Sequence, residues 1–490
     1  MRKMRFYIGI DIGTSAVKAI LVDETGQHRG SSSSALSVMR PCEGYSEQDP
    51  HDWFTATDAV LSDLASRFPD QMADVAALGL SGQMHGLVAL SSDGQVLRPA
   101  LLWNDVRAAA EAEALDRHHP HFRAVGGNIV MAGFTAPKAV WMARHEPELF
   151  QQTATILLPK DYVRFCLSGA RISDMSDASG TLWLDIENRR WSEELLDICG
   201  LSLAQMPDLA EGSEACCTVS PELAERWGMR ADIVIAGGAG DNAASAIGLG
   251  LSQPDDSFIS LGTSGVVFSV TDSYKAAPEK AVHAFCHALP ESWHQMGVIL
   301  AATDCISWLS EVTSTSLDDL LEQMSRTDLS ETWPLFHPYL SGERTPHNHP
   351  DARGGFYGLT RRHHAGDMMR AVLQGVAYAI ADSAEALQGN ADTSSKKTMI
   401  ATGGGAKNQY WLKSIASLTG CQIEVPKQAD HGAALGAARL GMLADGATLS
   451  DICIRPDIAE LVAPDAEFGQ KLNEARHLSS QIYHLIRDKL

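Results

Sequence analysis

A strand–turn–strand pattern occurs twice in the chain and limits the fold more than any other feature. In residues 6–22 two apolar stretches flank the turn GTS, and in residues 258–270 two more flank the turn GTSG. Apolar stretches around a glycine-containing turn are typical of a β-hairpin. A repeat of this kind, roughly 250 residues apart, predicts two similar halves that each open with a hairpin and face each other across a cleft.

The segments that follow each hairpin mix strands with helices. An apolar helical face in residues 53–64 precedes the strand-like residues 75–80. The second half shows helical spacing over residues 367–387 and a strand over residues 397–401 that runs into three glycines. Strands mixed with helices in this way predict an α/β fold rather than a helix bundle.

The length of 490 residues exceeds what one hydrophobic core can organise, so two domains are expected. Residues 248–254 contain the glycines, serine and proline that are typical of a hinge. We therefore predict an N-terminal domain over residues 1–248 and a C-terminal domain over residues 249–490.

The charge balance narrows the choice of partners. Lys and Arg number 39 and Asp and Glu 61, a formal net charge of −22, which disfavours nucleic acids and anionic membranes. The nine cysteines show no CxxC spacing, and we interpret them as reduced thiols. The longest uncharged stretch, residues 257–271, is shorter than a membrane span, and no targeting segment is visible. A cytoplasmic location is therefore expected.

The two hairpin turns are candidates for binding phosphate, since the chain has neither a GxxxxGK[ST] nor a GxGxxG pattern. The amides and hydroxyls of Thr14 and Ser15, with Lys18 close by, suit an anion-binding nest, and Thr263 offers the same chemistry in the second turn. Asp11 precedes the first turn and suits Mg²⁺ held through water. A plain hairpin turn in which Asp11 caps its own backbone is the alternative.

Asp241 follows four small residues and opens a helix of small residues. Its carboxylate can approach a substrate hydroxyl closely and act as a general base, while Asn242 holds the sugar. Aspartate at this place is also a favoured helix cap, which needs no catalytic role. The two roles are compatible, so both stay open.

Three further segments combine polar groups with glycine or an aromatic ring. The glycine-rich residues 403–408 let the backbone approach a flat ligand such as adenosine, with a flexible loop as the alternative. His85, between Met84 and Gly86, suits either a sugar hydroxyl or a structural role. Trp103 stands beside two polar residues, as in sugar sites, although tryptophan is more often part of a core.

Several of these motifs occur together in one known family. The chain resembles the FGGY carbohydrate kinases along essentially its whole length, through residues 11–15 (DIGTS), 82–86 (GQMHG), 102–105 (LWND), 240–244 (GDNAA) and 261–265 (LGTSG). Members that act on D-xylulose are similar also in residues 46–50, 158–162, 287–290 and 339–348. The chain departs from the family pattern at Ala139 and Ser245, neither of which touches a catalytic group.

The resemblance implies two actin-like (ribonuclease-H-like) ATPase domains, with ATP and Mg²⁺ in the cleft between them. The N-terminal domain would bind the sugar and carry the base, and the C-terminal domain would bind the nucleotide. Asp241 becomes the base and Asp11 the carboxylate that organises Mg²⁺. The implied substrate contacts are Met84, His85, Trp103 and Asn242. The implied nucleotide contacts are Thr14, Ser15, Lys18, Thr263, Gly404, Gly405 and Asn408.

The expected reaction is the ATP-dependent phosphorylation of D-xylulose to D-xylulose 5-phosphate, a step in D-xylose catabolism. The nearest alternative is another FGGY kinase that acts on ribulose, fuculose, gluconate or glycerol. A third hypothesis is a non-catalytic actin-like regulator or chaperone. The presence of Asp241, and of His85 together with Trp103, argues against it. The resemblance is also compatible with a homodimer.

Overall fold

The computed structural model describes residues 4–326, 334–388, 398–427, 432–487 and 489. The first residue of the strand predicted over 397–401 lies outside this part of the chain. None of the described helices is long and apolar enough to cross a membrane.

The first half alternates short strands with helices as predicted. Its strands are β1 (Phe6–Ile12), β2 (Ala16–Asp23), β3 (His28–Ala35), β4 (Glu47–Gln48), β5 (Val75–Gly82), β6 (Val88–Leu90), β7 (Ala100–Leu101), β8 (Thr155–Leu157), β9 (Ile172–Asp174), β10 (Leu184–Asp185), β11 (Arg190–Trp191), β12 (Asp208–Ala210), β13 (Ala215–Thr218), β14 (Val234–Ala236) and β15 (Ala239–Gly240). Its helices are α1 (Pro50–Arg67), α2 (Pro69–Met72), α3 (Ala109–His118), α4 (His121–Ala124), α5 (Thr135–His145), α6 (Pro147–Gln152), α7 (Pro159–Ser168), α8 (Met175–Ser179), α9 (Glu193–Ile198), α10 (Pro221–Arg226) and α11 (Asp241–Gly248).

The second half has fewer strands and longer helices. Its described strands are β16 (Ser257–Leu261), β17 (Gly265–Thr271), β18 (His283–Cys286), β19 (Trp293–Ile299), β20 (Leu335–His337), β21 (Gly355–Tyr357), β22 (Thr398–Thr402), β23 (Gln422–Pro426) and β24 (Ile458–Val462). Its described helices are α12 (Thr303–Thr313), α13 (Leu317–Ser325), α14 (Ala365–Gln388), α15 (Gln409–Thr419), α16 (Gly432–Ala444), α17 (Leu449–Ile452) and α18 (Ala466–Ile486). In the described part of the chain, 3₁₀ turns cover Leu203–Gln205 in the first half and Pro278–Lys280 and Gly404–Lys407 in the second.

Each half contains one large mixed sheet, and the two sheets share a plan. The first has the order β13-β14-β5-β1-β2-β3, with β15 also paired to β5, and the second has the order β18-β19-β17-β16-β22-β23-β24. In both, the hairpin is antiparallel and its first strand pairs in parallel with a central strand, β1 with β5 and β16 with β22. The two predicted hairpins and the two-domain α/β fold are confirmed.

Helix α16 belongs to the second half of the sequence but packs on the first sheet and on α11. Its backbone approaches so closely that a Cβ on Gly9 of β1 would lie 1.8 Å from the carbonyl oxygen of Ala434. A Cβ on Gly436 would lie 1.7 Å from the carbonyl oxygen of Ala244 in α11. Only glycine permits this contact, so α16 of the second half is packed directly on β1 of the first. The predicted boundary at residue 248 stays a prediction.

Replacing one of these glycines should destabilise the protein. In Gly436→Ala the new methyl meets the backbone of α11, which no rotamer change can relieve, so we expect the free energy of unfolding to fall by about 1–3 kcal/mol or more. Gly432→Ala, on the same helix, is the control, since its nearest neighbours are 3.8 Å from the added Cβ. Urea denaturation of both variants measures the difference, and equal stabilities would contradict the packing described here.

Candidate active site

Strand pairing in the first sheet brings Asp11 close to the loop that carries Asp241. Asp11 lies opposite Ser81 in the parallel pair of β1 and β5, and Ser81 lies opposite Ala239 in the pair of β5 and β15. Asp241 follows two residues later, as the first residue of α11. The two carboxylates therefore meet at one edge of the sheet, beyond the carboxyl ends of parallel strands, where α/β proteins place their ligand sites.

The carboxylate of Asp241 is half-buried. Its Oδ1 accepts hydrogen bonds from the backbone N–H of Asn242 at 2.7 Å and from the Nδ2 of the same residue at 2.9 Å. Burial and then the charge of Asp11 raise the pKa of Asp241 to about 6. Near neutral pH the group is therefore ionised but poised to take up a proton, as a general base requires.

Asp11 sits in a similar environment. Its Oδ1 accepts a hydrogen bond from the hydroxyl of Ser81 at 3.2 Å. Burial raises the pKa of Asp11, while Ser81 and the ammonium of Lys18, its cross-strand neighbour on β2, oppose the rise. Asp11 and Asp241 thus form a desolvated pair of acidic groups, and Lys18 is a cation that lowers the pKa of Asp11.

Glycine is required where the loop before Asp241 turns. Gly238 has a φ of +77°, and a Cβ there would lie 2.3 Å from the carbonyl oxygen of Leu80. A Cβ on Gly240 would lie 2.8 Å from the sulfur of Met84. Met84 therefore packs directly against the loop that carries Asp241, which places this predicted substrate contact beside the predicted base.

His85 is held in a single orientation next to Met84. Its Nδ1 lies 2.8 Å from the carbonyl oxygen of Gly180, so Nδ1 carries the ring proton and donates a hydrogen bond to this oxygen. Burial lowers the pKa of His85 to about 3, so the ring is neutral. Phe134 supports the ring edge-on, with 4.7 Å between centroids. The unprotonated Nε2 is left as an acceptor for a ligand hydroxyl.

Trp103 presents an exposed ring to the same region. Trp103 is 47% exposed, and its Nε1 donates a hydrogen bond to the hydroxyl of Thr14 at 3.0 Å. That hydroxyl in turn donates to the Oε1 of Gln83 at 2.9 Å, and the Nε2 of Gln83 donates to Gln48. The first hairpin turn is thereby fixed to the predicted sugar pocket.

The remaining predicted nucleotide contacts divide between the halves. Ser15 and Lys18 are exposed on the first hairpin, near Asp11. Thr263 is exposed at the tip of the second hairpin, and Gly404 is exposed in the loop after β22. The hydrogen bonds of the described residues do not link Thr263 or Gly404 to Asp241.

Gly405 and Asn408 have structural roles that are visible without a ligand. A Cβ on Gly405 would lie 2.6 Å from the ring of Trp411, so this residue packs under the loop rather than facing out. The side chain of Asn408 caps α15 by accepting from the backbone N–H of Trp411 at 3.0 Å. Both residues shape the loop in which Gly404 is exposed.

Family models match both halves of the chain. The N-terminal domain model of the FGGY family of carbohydrate kinases covers residues 6–248, and the C-terminal domain model covers residues 257–444. The chain belongs to the FGGY family of carbohydrate kinases. It is therefore an ATP-dependent sugar kinase, and the family predicted from its motifs is confirmed.

Individual relatives of this kinase align over almost their entire length. The xylulose kinase of Escherichia coli K12 is 46% identical over 97% of this chain and 98% of its own. The structure of a protein described as a xyloylose kinase from Brucella ovis has 46% identity and a TM-score of 0.96, and covers 99% of this chain and 100% of its own. A gluconate kinase from Lactobacillus acidophilus has 26% identity and a TM-score of 0.92, with 99% coverage of both chains. The fold is thus shared by kinases named for different sugars.

Sequence reasoning missed the residues that support the predicted contacts. Ser81, Gln83 and Phe134 contact Asp11, Thr14 and His85 respectively, and no role was predicted for any of the three. The motif GQMHG contains Gln83, and a polar residue buried between a strand and a glycine turn was the available signal.

Replacing Asp241 by asparagine should stabilise the FGGY kinase above pH 6. The carboxyl group has an ordinary pKa of 3.8 and a folded pKa of about 6, so the unfolded chain ionises first and the parent loses stability as the pH rises through this window. Asparagine cannot ionise and keeps Oδ1 as the acceptor for Asn242. We expect Asp241→Asn to melt at a higher temperature than the parent at pH 8, with a smaller difference at pH 5. Equal melting temperatures at pH 8 would show that the carboxylate is not desolvated.

Proposed function

We propose that this chain transfers the γ-phosphoryl group of ATP to D-xylulose, giving D-xylulose 5-phosphate and ADP. The relatives named xylulose kinase, at 46% identity over nearly the whole chain, support this substrate. The observation that carries the chemistry is the desolvated carboxylate of Asp241, at the start of α11 and beside Asp11. A desolvated carboxylate of this kind can take the proton that a hydroxyl releases in phosphoryl transfer.

Asp241 takes the proton of the terminal sugar hydroxyl during the transfer. As the oxygen–phosphorus bond forms, the bond from the γ-phosphorus to the bridging oxygen breaks and ADP leaves. The transfer requires the attacking oxygen, the phosphorus and the leaving oxygen to lie in line, so the positions of both substrates matter as much as the pKa of the base.

His85 and Trp103 bind the sugar together with Met84 and Asn242. The neutral His85 accepts a hydrogen bond from a sugar hydroxyl at Nε2, since its Nδ1–H donates to the carbonyl oxygen of Gly180. Trp103 offers an exposed ring face to the C–H groups of the sugar. Asn242 is held against Asp241 by its own Nδ2, which leaves its Oδ1 for a hydroxyl.

The nucleotide lies between the two halves, against the two hairpin turns and the loop of Gly404. Ser15, Lys18 and Thr263 are exposed and offer a cation and hydroxyls to phosphate oxygens. Mg²⁺ fits beside Asp11 through water, because this buried carboxylate accepts one described hydrogen bond and lies near the charge of Asp241. When bound, Mg²⁺ neutralises charge on the β- and γ-phosphates.

Removing the base should abolish turnover without unfolding the protein. We expect Asp241→Asn to lower kcat by about 100- to 10,000-fold, the usual contribution of a general base, while sugar binding survives. Asp232→Asn is the control, because Asp232 is an exposed partner of Arg230 and should leave kcat unchanged. ADP release with D-xylulose measures kcat, and calorimetry measures sugar binding. A loss smaller than about tenfold would exclude Asp241 as the base.

The sugar is identified by comparing acceptors at equal ATP. We expect kcat/KM for D-xylulose to exceed the values for ribulose, fuculose, gluconate and glycerol, measured by ADP release. A higher value for any of these would assign the chain to another substrate of the family. ATP binding without phosphorylation of any sugar would instead favour an actin-like regulator.

A further inference from the structure

Five fully buried charged side chains lie beneath the loop that carries Asp241. We call them the buried ion cluster: Lys160, Asp161 and Arg164 of α7, Asp174 at the end of β9, and Asp177 of α8. Burying charge is costly even when the charges are paired, and an apolar core of the same volume is often as stable. The cluster therefore calls for a role other than stability.

The ammonium of Lys160 is the centre of the cluster. It contacts the carboxylate of Asp161 and lies 2.9 Å from Asp174 and 3.5 Å from Asp177. The three carboxylates offer oxygens within 4.8 Å of one another, a spacing that would suit a metal ion. Because Lys160 already supplies the cation, and burial raises the pKa of Asp177 well above its ordinary value, the cluster is balanced without a metal.

Arg164 connects the cluster to the backbone of the loop. Its Nη1 donates to the carbonyl oxygen of Ala236 at 2.7 Å, and its Nη2 donates to that of Gly237. On the opposite side Nη2 lies 4.0 Å from the carboxylate of Asp161. The guanidinium thus fixes two successive peptide groups where β14 ends and the glycine turn begins.

Ser176 makes the second connection, at the other end of the loop. Its hydroxyl donates to Oδ2 of Asp174 at 2.5 Å and accepts from the backbone N–H of Gly240 at 3.1 Å. Gly240 directly precedes Asp241. The loop from 236 to 240 is therefore held at both ends by groups that the buried ion cluster orients.

We propose that Arg164 and Ser176 are positioning residues, which the buried ion cluster holds so that the loop presents Asp241 to the sugar hydroxyl in attack geometry. The inference rests on the proposed role of Asp241 as the base. Both side chains are fully buried. A displacement of about 1 Å at the reacting atoms lowers the rate about 100-fold. A rigid support of this kind can therefore raise the catalytic rate even where it adds little to the stability of the protein.

Ser176→Ala tests the proposal with a matched control. Replacing Lys160 would remove the central cation of the cluster and unfold the chain, whereas the serine variant removes one hydroxyl. Ser179 is the control, since it is a buried serine on the same helix that also accepts a backbone N–H, from Cys286 of β18 at 3.0 Å. Both changes remove a comparable hydrogen bond, but only Ser176 contacts the loop.

We expect Ser176→Ala to lower kcat for D-xylulose by about 10- to 100-fold with KM for ATP within about twofold of the parent. Ser179→Ala should show a similar fall in melting temperature with kcat within about twofold. Equal kcat in the two serine variants, alongside an active parent and an inactive Asp241→Asn, would overturn the positioning role and leave the proposed function standing. A parent that phosphorylates no sugar would instead refute the proposed function itself.

Discussion

The parallel pairing of β1, β5 and β15 is the constraint on which the site depends. It sets Asp11, Ser81 and Ala239 side by side, and the chain then turns into α11 with Asp241 as its first residue. A shift of one residue in the pair of β1 and β5 would turn Asp11 to the other face of the sheet. Close packing of α16 on Gly9 of β1 helps to fix this register, because the contact leaves no room for a side chain.

The charged side chains at this edge of the first sheet form two layers. In the upper layer the charge of Asp11 raises the pKa of Asp241, while Lys18 opposes the rise in the pKa of Asp11. In the lower layer Asp161 and Asp174 are paired with Lys160 and Arg164, and burial raises the pKa of Asp177 well above its ordinary value. The upper layer carries the proposed base, and Arg164 of the lower layer is hydrogen-bonded to the backbone of the loop that precedes this base.

Local patterns were sufficient to predict the hairpins, the apolar face of α1 and the acidic groups of the site, because each depends on residues close in sequence. The position of α16 on the first sheet could not be predicted, because Gly9 and Ala434 are brought together only by the folded chain. The buried ion cluster was missed for a similar reason. Its lysine and aspartates would be assigned to the surface by composition, and only their common burial beneath one loop reveals them.

The two hairpin turns show how one local motif acquires different surroundings. The hydroxyl of Thr14 is engaged by Trp103 and Gln83, so this turn is part of the pocket wall in the first half. In the second half the carbonyl oxygen of Thr263 accepts from the backbone N–H of Ala302, before α12, and its side chain stays exposed. The same three letters therefore lie beside the proposed sugar contacts in one half and leave an exposed hydroxyl for a proposed phosphate contact in the other. A shared sheet plan fixes where the turns lie, and the residues packed around each turn decide what it can bind.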